Sequence, residues 1–497
     1  MTVHKIYVHD LLCYEVASEE QLNSKLNSPN RYFDLNKLPT AGLREEMCEF
    51  LFHRGEVLSL GSIRAEFWPY NVLCRFLTDK YPNLNSFLDE DLDVMTRKLK
   101  GWLLNNGYNL SKRRKSRQYD KVKIGNSDVV LFLKRLYEYM IPEPDIPEIE
   151  KDVWTISKLE FPVRNNPVHP MNSLNFTSLI QKKIRNEVKT ASAMNLSFLA
   201  VHTVSNQIRA VKRLSEFLAK EYPKIDSLTE IDREVLEEYL IYLNTEVDDK
   251  KSFCSELKGL KSLLDTVGRI EECMVLCNLF LPDDISKGGA LPQYKSYSDH
   301  ELMRLNAAIV EMDEQVARVL ILHQMLGTRI SETLTLEQNC LVKINKHWHV
   351  RAYQYKTFKP IYKPVNEDVI KLIKKSIQYT KEHYGEQRYI FVYDKDPSQP
   401  MRYGKLQYRI MTMVQDKKLC DDEGKLFGVG THTFRHSYGR KLTEMNVDDQ
   451  TIAKLLGHAN TSSVKYYRKY GNQALADATR DVRKSMDEIL GAIVEEW

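Results

Sequence analysis

Pro142, Pro144, Pro147, Pro162, Pro167 and Pro170 crowd the stretch from Ile141 to Met171. A proline has no amide N–H to donate and a fixed φ, so regular helix is broken there and an extended spacer is expected over 141–172. A second break, 281–297, holds Pro282, Gly288, Gly289 and Pro292. Ser298 follows it, with Glu301 three residues on, which is the capping-box start of a helix. These breaks cut the 497 residues into three folded segments, 1–140, 173–280 and 298–497. An apolar content of 42% is enough to give each its own core.

The first two segments look related. Leu73, Phe76-Leu77, Tyr81-Pro82, Ser86 and Leu99 match Leu214, Phe217-Leu218, Tyr222-Pro223, Ser227 and Leu240 at one offset of 141. In each, an amphipathic helix ends at Tyr-Pro and a turn leads to an acidic-then-apolar helix. Duplication of one helical module explains this, and chance likeness of two amphipathic helices is the alternative. The third segment is mixed. Val316, Val319, Leu320 and Met325-Leu326 have helical spacing, Trp348 to Val365 alternates as a hairpin does, and helix returns from His432. The expected fold class is therefore mainly α, with helical domains ahead of an α+β domain that carries a small antiparallel sheet.

Composition excludes several classes. No run of apolar residues is long enough to cross a membrane, and the first residues lack the apolar core of a secretion signal. Eight cysteines are scattered with no CxxC pair, which fits reduced thiols in a bacterial cytoplasm and no structural metal. The net charge of +4 matters less than its distribution. Arg97 to Lys123 holds ten Lys or Arg against one acid, Asp120, and is densest at Lys112, Arg113, Arg114, Lys115 and Arg117. Such a cluster releases counterions on meeting a phosphate backbone; a solvated loop is the competing reading.

The third segment also carries polar residues in an order that suits phosphodiester chemistry. Covalent cleavage needs a nucleophile at phosphorus, cations on the non-bridging oxygens and an acid for the departing 5′ oxygen. Arg suits the clamp because its planar fork donates two bonds to phosphate. Arg329 follows Gly327, a helix-ending glycine, and Lys356 lies on the predicted hairpin. His432 and Arg435 stand three apart on one helix face, Gly457 is a helix C-cap before His458, and Tyr467 comes nine residues after that His. His432 and His436 form H-x-x-x-H, but Thr433 stands where a zinc protease needs its Glu. Neither a G-x-S-x-G elbow nor a phosphate-binding loop is present.

This arrangement resembles the tyrosine recombinase (phage-type integrase) family: an Arg after a Gly, a hairpin Lys, H-x-x-R-H, L-G-H and a Tyr nine residues on. The match runs without a gap from His432 to Tyr467, with His458 23 positions after Arg435. It covers 298 to about 480 well and 173–280 more loosely, as the family's helical core-binding domain.

The resemblance implies that Arg329 and Arg435 clamp the scissile phosphate. Lys356 would be the general acid, with Lys359 a rival on the same hairpin; Lys363 is set aside as part of the second strand. His432 would manage the nucleophile's proton, His458 would hydrogen-bond the phosphate, and Tyr467 would form a 3′-phosphotyrosine, with Glu332 supporting the site. It further implies exchange through a Holliday junction by a homo-tetramer on double-stranded DNA, accessory recombination proteins, and no cofactor, because the bond energy stays in the phosphotyrosine. The additional segment 1–140 points to a mobile-element integrase or transposase, with the basic residues from Lys112 to Arg117 on element DNA. Leu475, Ala478, Val482, Met486, Ile489-Leu490 and Ile493 form a helical stripe. That stripe would dock on a neighbouring protomer or on its own domain. A type IB topoisomerase and a DNA-binding regulator without catalysis are the alternatives.

Overall fold

The computed structural model describes residues 4–17, 19–23, 29–115, 122–142, 145–247, 253–285, 296–464 and 467. The chain divides into two compact units at Asp145 and Ile146.

The first unit pairs β1 (Lys5–Tyr7) with β2 (Tyr32–Asp34), with two short helices between them, α1 (Leu12–Glu15) and α2 (Glu19–Leu22). Then come α3 (Ala41–Val57), α4 (Leu60–Lys80), α5 (Leu92–Asn105), the hairpin β3 (Ser111–Lys115) and β4 (Val122–Asn126), and α6 (Asp128–Met140). Phe33, Phe50, Phe67, Leu73, Phe76, Leu99 and Leu133 are among the side chains of one core.

The second unit opens in the proline-rich stretch, and here the structure departs from the expected spacer. Prolines at this density disfavour regular helix but not burial. Strand β5 (Val153–Thr155) pairs with β6 (Ser173–Asn175), and Trp154 is fully buried against Phe176, ring centroids 4.6 Å apart. Val168 belongs instead to the core of the residues that follow 296, and its carbonyl accepts from the Tyr403 amide at 3.1 Å. The stretch is thus a fastener with apolar anchors at both ends. Helices α7 (Lys182–Leu196), α8 (Val201–Glu221), α9 (Arg233–Thr245), α10 (Cys254–Ile270) and α11 (Met274–Cys277) complete the helical module.

The offset of 141 persists in three dimensions. Helices α4 and α8 both end one residue before the paired tyrosines, Tyr81 and Tyr222. Ser86 Oγ donates to Glu46 at 2.5 Å and the Phe87 amide donates to the same carboxylate at 2.8 Å. Ser227 Oγ and the Leu228 amide donate to Glu187 at 2.5 and 2.8 Å. Arg44 Nε donates to the Leu38 carbonyl at 3.1 Å, and Arg185 Nε to Leu179 at 3.2 Å. Phe33, Leu35 and Leu38 are buried where Leu174, Phe176 and Leu179 are. A carboxylate seated on the amide of a 3-10 turn is a specific solution, and two copies at one offset favour duplication over chance. The copies differ between α5 and α6, where the first unit carries the β3–β4 hairpin.

Beyond 296 come α12 (Asp299–Ile309), α13 (Glu314–Leu326), α14 (Ile330–Leu334) and a three-stranded antiparallel sheet. Its strands are β7 (Leu341–Ile344), β8 (His347–Gln354) and β9 (Lys359–Pro364). Ser298 and Glu301 form the capping box that their spacing implies. The expected hairpin is β8–β9, and β7 is an addition to it. Helix α15 (Glu367–Tyr384), the small hairpin β10 (Val392–Tyr393) and β11 (Asp396–Pro400), α16 (Tyr403–Asp416), α17 (Thr431–Glu444) and α18 (Asp449–Leu456) follow. The fold is mainly α with small antiparallel sheets, in keeping with the expected class. No helix among the described residues is long and apolar enough to cross a membrane. The stripe from Leu475 to Ile493 lies outside the described residues.

Candidate active site

Two left-handed glycines build the frame. Helix α13 ends at Gly327, with φ +57°, and α18 ends at Gly457, with φ +62°. A Cβ on Gly327 would lie 2.3 Å from the Tyr438 ring, and one on Gly457 would lie 2.1 Å from Gln354 Nε2. Only glycine suits both the backbone and the space. The first turn presents Arg329 at the N-terminus of α14. The second docks against the end of β8, where Gln354 Nε2 donates to the Gly457 carbonyl at 3.1 Å, and so places His458.

Arg435 is 1% exposed on α17. Its guanidinium donates to the Gly327 carbonyl at 3.0 Å and to the Leu456 carbonyl, which ties both glycine turns to one helix. Glu332 is also buried. It accepts from the Arg329 amide at 2.9 Å and from Arg329 Nη1 at 2.8 Å, and lies 4.0 Å from Arg435. Arg329 keeps 23% of its side chain exposed, so part of its fork faces solvent. Burial and the neighbouring Arg329 pull the Arg435 pKa down to about 10, against the support of Glu332 and Tyr467. The site is therefore short of negative charge, and an anion beside it would be stabilising.

Tyr467 is 5% exposed and within hydrogen-bond reach of Arg435. Its ring packs over Gly439, where a Cβ would come within 3.0 Å of it. His436 and His458 flank that ring at centroid distances of 5.8 and 6.4 Å, and His432 lies 4.5 Å from His436. Burial first, and then neighbouring positive charge, pushes His436 and His458 down to about 4 and lowers His432. At neutral pH these imidazoles are neutral and can accept as well as donate. His458 Nδ1 is buried with no hydrogen-bond partner among the described residues.

Lys356 sits in the turn after β8, two residues past the strand end, rather than on the first arm of the hairpin. It is exposed, yet its charge bears on both His432 and His458. Lys359 is exposed at the start of β9. The structure thus gathers Arg329, Glu332, His432, Arg435, His458 and Tyr467 in one cluster, with the charge of Lys356 bearing on two of its imidazoles. Tyr466 lies outside the described residues.

Lys112 and Arg113 are exposed on β3 of the first unit, where Lys112 also pairs with Asp128 at 2.6 Å. Arg114 and Lys115 continue that strand, and Arg117 lies outside the described residues.

Sequence reasoning missed His323 and set aside two further residues, His436 and Lys363. His436 enters it only as a rejected zinc ligand, yet stands between His432 and Tyr467. His323 is wholly buried, bonded to Thr333 Oγ1 at 3.1 Å and to the Thr431 carbonyl at 2.8 Å, and joins α13, α14 and α17. Lys363 is 4% exposed beside the arginines. A lysine on the inward phase of a half-buried strand was the one signal that could have found it.

Residues 296–473 match the phage integrase family. Over 462 residues the chain is 25% identical to transposase B from transposon PsiTn554 of Staphylococcus aureus, covering 90% of this chain and 72% of the relative. It is 25% identical to tyrosine recombinase XerA of Pyrococcus horikoshii over 237 residues, covering 47% of this chain and 74% of that one. Among solved structures, the XerH site-specific recombinase bound to a palindromic difH substrate aligns with a TM-score of 0.45 at 18% identity, over 61% of this chain and 91% of that chain.

Proposed function

We propose that this chain is a tyrosine recombinase of the mobile-element type, its residues 296–473 matching the phage integrase family, and that it recombines element DNA at specific sites with Tyr467 as nucleophile. The carrying observation is the Tyr467 phenol in hydrogen-bond reach of the buried Arg435, between two neutral imidazoles. Arg329 and Arg435 neutralise the non-bridging oxygens of the scissile phosphate. Tyr467 Oη attacks phosphorus and gives up its proton to the neutral imidazole cluster, where His432 serves as base. The bond from phosphorus to the 5′ oxygen breaks, and Lys356 protonates that oxygen. His458 donates to the phosphate, and Glu332 holds Arg329. Lys356 suits the acid role because it is exposed in a turn, free to move, and its charge bears on both His432 and His458. Attack by an incoming 5′ hydroxyl then reverses each step, so no nucleotide or metal enters the balance.

Four such centres on two DNA sites would exchange strands in pairs through a Holliday junction, in a homo-tetramer, with accessory recombination proteins setting direction. The stripe from Leu475 to Ile493 is our candidate for the contact between protomers. A plasmid carrying two copies of an element junction tests the reading. Incubation with the protein should give deletion or inversion products. Supercoil relaxation alone would point to topoisomerase activity, and binding without any covalent adduct would point to a regulator.

The basic β3–β4 hairpin is proposed as an additional DNA-binding element of the first unit. With Lys112, Arg113, Arg114 and Lys115 all changed to Ala, log affinity should depend less steeply on log salt, by up to about 0.9 for each phosphate that is no longer neutralised. Lys112, already paired with Asp128, should contribute least. An unchanged salt slope in a filter-binding titration would remove the hairpin from the interface.

A further inference from the structure

Lys363 is the buried cation to which the mechanism assigns no work. It lies on β9 opposite Val350 and is 4% exposed, where neighbouring Lys359 and Pro364 are exposed. Its Nζ donates to the Leu326 carbonyl and stands 5.2 Å over the Tyr438 ring. Leu326 is the last residue of α13. The next carbonyl, that of Gly327, is held by Arg435 at 3.0 Å. Two cations from two different elements, β9 and α17, therefore grip successive carbonyls of the turn that leads to Arg329. Tyr438 packs on the same turn, against the face where Gly327 has no side chain.

A purely structural role is poorly served by a lysine here. The carbonyls at the end of α13 could be met by solvent or by a neutral donor, and a buried ammonium beside two guanidinium groups is costly. A cation with little compensation is a reasonable choice where an anion is to arrive. The charged groups around Lys363 are Arg329 and Glu332 from the start of α14 and Arg435 from α17. The other titratable groups facing it are Tyr438 of α17 and His323 of α13, the latter held neutral by burial, which brings its pKa down to about 4.

Resting on the recombinase reading above, we infer that Lys363 is a positioning residue for strand cleavage: its ammonium ties β9 to the Leu326–Gly327 turn and so sets Arg329 in register with Arg435 on the scissile phosphate. The chemistry it serves is the phosphodiester of duplex DNA, which it does not itself touch. Its charge state adds a second signature. Burial first, and then Arg435 and Arg329, bring its pKa down to about 7. Lys363 is thus charged below that pH and loses its proton as pH rises through it, and a bound phosphate moves that loss to higher pH. His436 and His458 are already neutral across this range.

The test uses the full-length protein and a suicide duplex that traps the covalent adduct. Lys363→Met, of similar length and without charge, should bind the duplex within about twofold of wild type. It should cleave in single turnover more slowly, by on the order of 100-fold. Its rate should also lack the decline with rising pH expected of wild type once pH passes the Lys363 pKa in the DNA complex. Lys363→Arg should recover most of the rate and stay active to higher pH. Wild-type rate and pH profile in Lys363→Met would overturn the inference. A loss of cleavage that follows only the folded fraction, measured by thermal melting at the assay temperature, and that Lys363→Arg does not relieve, would overturn it too. Where Lys363→Met fails to fold, Lys363→Gln and Lys363→Arg decide by the same two criteria. Wild-type protein that forms no adduct would instead sink the recombinase reading, and this inference with it.

Discussion

Tyr467→Phe is expected to bind site DNA as the wild type does and to form no covalent adduct. The ring remains where it is, 5% exposed and seated over Gly439, so the fold keeps its packing. The hydroxyl is lost and with it the bond to Arg435, about 1–2 kcal/mol. Chemically the loss is total at that atom, because a phenyl ring cannot attack phosphorus. Cleavage should fall by on the order of 10⁴-fold or more, the scale on which removing a covalent nucleophile acts. Denaturing gels of protein incubated with a suicide duplex read the adduct directly. Tyr466→Phe, one residue away, should still cleave. An adduct that persists in Tyr467→Phe and vanishes in Tyr466→Phe would move the nucleophile and break the nine-residue spacing on which its identity rests.

Arg435→Ala should combine the largest loss of activity among the clamp residues with a large loss of stability. The guanidinium is 1% exposed and holds the carbonyls of Gly327 and Leu456, so its removal unties both glycine turns from α17. It also leaves the buried Glu332 with Arg329 as its remaining guanidinium neighbour. Breaking a buried charge pair costs about 3–5 kcal/mol. Loss of one preorganised donor to the transition state adds on the order of 10²–10³-fold in rate. Arg435→Lys should restore part of the stability, since an ammonium still faces Glu332. It should not restore cleavage, because one nitrogen cannot reach two carbonyls and a phosphate at once. Denaturant titration separates the stability effect from the single-turnover rate. Folded Arg435→Ala that cleaves within about tenfold of wild type would remove Arg435 from the clamp.

Most of the candidate site was readable because its spacing is local. His432 and Arg435 share one turn of α17, and Gly457 to Tyr467 is a short covalent path, so the sequence separation already restricts the geometry. The glycine caps were readable for the same reason: a helix that ends in a left-handed residue announces itself by a glycine. The hairpin was legible from alternation, but not which of its lysines turns inward. Lys356 proved to sit in the turn and Lys363 in the core, a matter of strand end and register that shifts by one or two residues without changing the pattern. The proline-rich stretch misled in the opposite way. Prolines report what the backbone cannot do, and say nothing of what Trp154 and Val168 bury.

By itself, the sequence determined the division of the chain at its proline-rich stretch, the repeat at an offset of 141, the two glycine turns and the order of Arg329, His432, Arg435, His458 and Tyr467. These rest on covalent distance and local backbone preference, which a linear chain carries wherever it goes. Only the tertiary structure decided that Arg435 would reach from α17 to the ends of α13 and α18. It alone buried Lys363 beside Arg435, placed His436 against Tyr467, and gave Glu46 and Glu187 the same two partners in the two modules. Those pairings join residues far apart in the chain. They are selected by burial, because a polar group removed from water must find whichever partner the fold brings within reach.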